Sequence, residues 1–162
     1  MPILSPLIRC HLWLTKGMYA LAIISLLLFT IMFNIEVALR YFFNAPTSWS
    51  QDVIGIATLV VVFLGLPYVT MKKSHVTIDI LVTQLKPGAA KVFNVIARMT
   101  TVAVLAYAAY IVGGEAMKQF TRGTMTASSI PIPKWPLLSI MVVGLISSAI
   151  HVATGTLKGE EA

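Results

Sequence analysis

Between Lys16 and Glu36 no charged side chain interrupts the chain, and Leu, Ile, Ala, Phe and Met supply most of the residues. A run of this length and character is suited to lipid. Crossing about 30 Å of hydrocarbon takes roughly 20 apolar residues, and a helix satisfies every backbone N–H and C=O within the segment. Three further runs of the same kind follow, so spans are expected at about 17–38, 53–71, 92–114 and 135–157. Together they predict an all-α membrane protein of four transmembrane helices.

Composition leaves no room for much else. Hydrophobic residues make up 57% of the 162 and charged residues 11%, against about 25% charged in a soluble domain. The chain is therefore read as one four-span domain over 1–162, with no separate soluble module. The net charge of +6 does not point to nucleic acid, because the cations flank the apolar runs and form no stripe with interleaved aromatics. Cys10 is the one cysteine, which excludes a disulfide framework and a cysteine metal cluster. Arg9 and Lys16 ahead of the first run resemble the start of a secretory signal. The run is longer than a signal core and no small-residue cleavage site follows, so it reads as an uncleaved first span.

The cations orient the spans. With the N-terminus in the cytoplasm, the inner side carries Arg9, Lys16, Lys72, Lys73, Lys86, Lys91, Arg98 and Lys158, eight of the twelve. The outer side carries Arg40, Lys118, Arg122 and Lys134. Both termini are then expected inside. Trp13, Trp49 and Trp135 fall at span ends, where amphipathic rings prefer the headgroup region. Pro67 inside the second span removes one backbone hydrogen bond, which a neighbouring helix must compensate.

Two segments read as short amphipathic surface helices. Residues 3–14 mix Leu4, Leu7, Ile8, Leu12 and Trp13 with Arg9 and His11, a pattern for a helix lying on the membrane. Between spans two and three, Ile78, Leu81, Val82 and Leu85 share one helical face, with His75, Asp79, Thr83 and Lys86 off it. A helix over about 76–86 is expected there, ended by Pro87-Gly88. Alternation at Val76, Ile78 and Ile80 is the competing strand reading.

Chemistry within the spans is sparse. Arg98 is the clear ionisable group, placed to snorkel to a lipid headgroup or to pair with a partner subunit. Bis-histidine haem needs two histidines at matching depth on facing spans. His151 lies in a span, while His11 and His75 fall in segments read as superficial, so no haem, metal or other cofactor is expected. No Ser-His-Asp set or G-x-S-x-G turn appears, and no enzyme activity is predicted. Glu36 and Arg40 stand at i and i+4, spaced for a helical ion pair at the outer end of span one.

Three strings carry more specific information: RYFFNAPTSWSQD from Arg40, KKSHVTIDIL from Lys72, and SSIPIPKW from Ser128. In order and within a four-span frame, they resemble the small membrane subunit (DctQ-like) of the tripartite ATP-independent periplasmic transporters, the TRAP family. That family typically has R-Y-x-F-x-x-P-x-x-W followed by two acidic residues. Arg40, Tyr41, Phe43, Pro46 and Trp49 match, while the acidic pair appears as Gln51-Asp52. His75, Val76, Ile78 and Asp79 match the family's string after span two, and Pro133 with Trp135 matches its approach to the last span.

The resemblance implies a bacterial inner-membrane subunit that does no transport alone. Its implied partners are a large membrane subunit and a periplasmic binding protein, which together import organic acids such as C4-dicarboxylates or sialic acid on a sodium gradient. Arg40, Trp49 and Asp52 would fix the turn between spans one and two or face the binding protein. His75 and Asp79 would cap or dock a surface helix. Arg122 and Lys134 could meet an acidic binding protein. The competing reading is a self-sufficient four-span exporter, which would need an acid well inside its first span, where only Glu36 at the outer end is available.

Overall fold

The structure, a computed structural model, describes residues 4–45, 47, 49–72 and 87–158. Four helices account for most of them: α1 Leu4–Phe42, α2 Ser50–Met71, α3 Pro87–Arg122 and α4 Lys134–Lys158. Each is long and apolar enough to cross a membrane. The expected surface helix at about 76–86, with His75 and Asp79, lies outside the described residues, as does Pro46.

The first helix departs from expectation. Residues 3–14 were expected as a separate surface helix, yet α1 runs unbroken from Leu4 for 39 residues. At 1.5 Å per residue this is about 58 Å of helix, well beyond the hydrocarbon thickness of about 30 Å. Pro6 falls in the first turn, where a missing N–H breaks no intrahelical bond, so nothing interrupts the helix before its lipid-spanning part. At the other end Asn44 takes φ +50°. Phe43 N and Ala45 N both donate to Leu39 O, at 3.1 and 3.2 Å, so the last α-helical bond and one reaching back six residues share a carbonyl where the left-handed Asn44 turns the chain out of the helix. Gly123, at φ +61° just past α3, takes a left-handed conformation where a side chain would be strained.

The helices pack in the spatial order α1, α2, α4, α3, so α2 and α4 form the central seam between two sequential hairpins. Lipid removes most of the hydrophobic drive between helices, and small residues and hydrogen bonds hold such seams. Across α1–α2, Gly65 lies opposite Ala22, and Tyr19 stacks on Tyr68 with ring centroids 3.8 Å apart. Across α3–α4, Gly113 meets Val142 and Phe120 takes a T-shaped contact with Trp135 at 5.4 Å.

The seam itself is closest at Gly144. A Cβ built there would lie 2.1 Å from the carbonyl oxygen of Phe63. That carbonyl is four residues before Pro67, which is buried within α2 and has no N–H to give it. The backbone of α4 thus comes up against the one α2 carbonyl released by the proline, and only glycine fits the approach.

Candidate functional site

Polar side chains gather at the two ends of the molecule. At the hairpin end, where α1 turns into α2 and α3 into α4, Glu36 is the hub. It is 6% exposed, and its Oε1 accepts from Arg40 Nη2 at 3.1 Å, closing the ion pair read from the i, i+4 spacing. Its Oε2 accepts from the backbone N of Thr47 at 3.4 Å and from the Thr47 hydroxyl. One carboxylate therefore joins the last turns of α1 to the loop before α2. Thr47 escaped sequence reasoning, because it occupies a variable position of the string and nothing local marks it as a donor to a residue eleven places back.

Asp52, in the first turn of α2, reaches elsewhere. Its Oδ2 accepts from the backbone N of Ile130 at 3.4 Å, which ties the start of α2 to the α3–α4 loop. That loop is itself held by a bridge between Met125 and Pro133, with Thr126 N donating to Ile132 O at 2.8 Å and Lys134 N to Thr124 O at 3.1 Å. The first and third strings read from the sequence are thus joined in space through Asp52. Trp135 completes this end through its contact with Phe120. Tyr41, Trp49 and Gln51 make no such tie; they are exposed on the outer surface, with Trp49 at the N-cap of α2.

At the opposite end a second cluster joins α1 to α4. His11 and His151, expected to lie apart, have ring centroids 4.4 Å from each other. The correction follows from the unbroken α1, which carries His11 down beside the last turns of α4 instead of along the membrane surface. Thr15 is fully buried. Its hydroxyl donates to His11 O at 2.9 Å, so the 2.8 Å contact with His151 Nε2 requires that nitrogen to carry the proton. His11 Nε2 lies 3.0 Å from Ser147 Oγ, and the buried Ser148 hydroxyl donates to Gly144 O at 2.8 Å. Every hydroxyl here has a partner, as a polar group in lipid requires.

Arg98 stands apart from both clusters. It is half-buried on α3, and among the described residues it has no ion pair. Nor do the described residues include a group of three or more metal-binding side chains.

The comparisons with known proteins agree with the three strings. Residues 28–159 match the family described as tripartite ATP-independent periplasmic transporters, DctQ component. This chain belongs to the DctQ family. The family is a transporter component and not an enzyme, and with four spanning helices the chain is a multi-pass membrane protein. A Haemophilus influenzae protein named as a TRAP transporter small permease is 24% identical over 98 residues, which takes in 60% of this chain and 59% of that relative. No solved structure matches. For a DctQ chain, the hairpin-end network built on Glu36 and Asp52 is the candidate functional surface.

Proposed function

We propose that this chain is the bracing subunit of a sodium-driven TRAP importer of organic acids such as C4-dicarboxylates or sialic acid. It works in the bacterial inner membrane with both termini in the cytoplasm, beside a large membrane subunit that moves the substrate and a periplasmic protein that captures it. The carrying observation is where the acids are. The described acidic residues, Glu36, Asp52 and Glu115, all lie at the hairpin end, and each is engaged: Glu36 with Arg40 and Thr47, Asp52 with Ile130, Glu115 with Lys118 and Gln119. A chain that moved ions by itself would hold an acid free to exchange its partner near mid-membrane, and a small exporter needs the same.

The bias of Lys and Arg toward the end bearing the termini supports the orientation. The row of helices leaves broad apolar faces for a large subunit to cover. On this orientation Tyr41, Trp49 and Gln51 face the periplasm beside the braced turn. The test is reconstitution. In liposomes the chain alone takes up no organic acid under a sodium gradient, and uptake appears only with the large subunit and the binding protein present. Sodium-driven uptake by the chain alone overturns the proposal.

A further inference from the structure

The groove between α3 and α4 has no role in the reading above. In the half nearer the chain termini it forms an open hollow of about 440 Å³. Val102, Ala106 and Ala109 line it from α3, and Ile146, Ile150 and Ala153 from α4. From Val102 to Tyr110 it extends about 12 Å at 1.5 Å per residue, close to the depth of one hydrocarbon leaflet, about 15 Å. Its walls are apolar and its α3 floor is alanine, so a flexible chain can lie flush between the helices.

Charge identifies the occupant. Arg98 sits one turn before Val102 on the same stripe of α3 as Ala106 and Ala109. It is half-buried, and among the described residues it has no acidic partner. An apolar slot about one leaflet deep, with a cation one turn beyond it, matches a lipid with a negative head and an acyl tail. A guanidinium holds a phosphate oxygen pair in its planar fork, and basic pockets between helices select anionic headgroups in this way.

We propose that the α3–α4 groove and Arg98 together form a binding site for one anionic phospholipid, its acyl chain against Ala106 and Ala109 and its phosphate on the guanidinium. On the orientation proposed above this lipid belongs to the cytoplasmic leaflet. The site does not depend on which substrate the transporter carries.

Native mass spectrometry of the full chain in mild detergent, with phosphatidylglycerol and phosphatidylcholine of matched tails, tests the site. The wild type is expected to retain phosphatidylglycerol in preference. R98Q should lose about fivefold of that retention, the change carried by one cation at an anionic lipid, and R98K should keep most of it. A106F, which fills the slot and leaves the arginine, should lower retention of both lipids. Unchanged thermal unfolding in each variant separates loss of the site from loss of the fold. Equal retention of the two lipids by the wild type, or undiminished retention by R98Q or A106F, overturns the proposal. So does a result in which A106F keeps its lipid but no longer co-purifies with the large subunit, because the groove then seats a protein helix.

Discussion

Gly144 on α4 and Phe63 on α2 approach so closely that a Cβ on the glycine would overlap the carbonyl oxygen of the phenylalanine, at 2.1 Å. The contact is backbone against backbone, so no side-chain rotation relieves it. It lies on the seam that joins the two hairpins, beside the buried Pro67.

Gly144→Ala should therefore destabilise the chain by about 1–3 kcal/mol, the usual range for overpacking a tight interior. Gly55→Ala is the control, since it also lies within a helix and nothing lies within 4 Å of a Cβ there; it should leave stability unchanged or raise it by up to about 1 kcal/mol, the helix preference of alanine over glycine. Thermal unfolding in detergent reads both. Equal effects from the two substitutions would mean that the α2–α4 approach is looser than described.

At Glu36 the two partners differ in worth. Arg40 is half exposed at the side chain, so Arg40→Ala should cost at most about 1 kcal/mol. Thr47→Val removes a hydroxyl donor from a buried carboxylate and should cost more, about 1.5–3 kcal/mol. Chemical denaturation of the two variants in the same detergent gives the order, and a larger loss in Arg40→Ala would reverse the assignment of Thr47 as the principal brace.

Thr15 and His151 join helices at opposite ends of the sequence. A double-mutant cycle with Thr15→Val and His151→Phe keeps the volumes near native and removes the hydrogen bond. It should return a coupling of about 0.6 kcal/mol, typical of interhelical bonds in membranes. Zero coupling would show that the rings pack beside Thr15 without bonding to it.

Trp49 has no side-chain capping bond and is partly exposed at the start of α2. Trp49→Ala should lower the yield of the assembled transporter in a co-purification and leave its substrate preference unchanged. A changed preference with normal assembly would place this ring beside the substrate path and not at a contact between subunits.

The spans were legible because charge-free runs and helical periodicity are local properties, and the Glu36–Arg40 pair was legible because both residues lie on one helix. The features that escaped all need two helices at once. Thr47 is a plain threonine until the turn brings it to Glu36. His11 looked superficial because a mixed apolar and basic segment after two prolines suits a surface helix as well as the first turns of a long one. Pro67 announced a carbonyl without a donor, yet nothing local says that Gly144, on a helix two elements later, would come to meet it. Arg98 was recognisable as an ionisable group in a span, but the slot beside it exists only where α4 lies against α3.

The order α1, α2, α4, α3 also bears on how the chain is made. Each hairpin consists of helices that follow one another from the ribosome, so each can settle in the bilayer as a self-contained pair before the other arrives. What remains is the docking of α4 onto the first hairpin, against α2 at a glycine notch and against α1 through a few hydroxyls and imidazoles. The join between the halves is then a matter of fit rather than of burial, and a chain severed between α2 and α3 would carry all the instructions needed to rejoin.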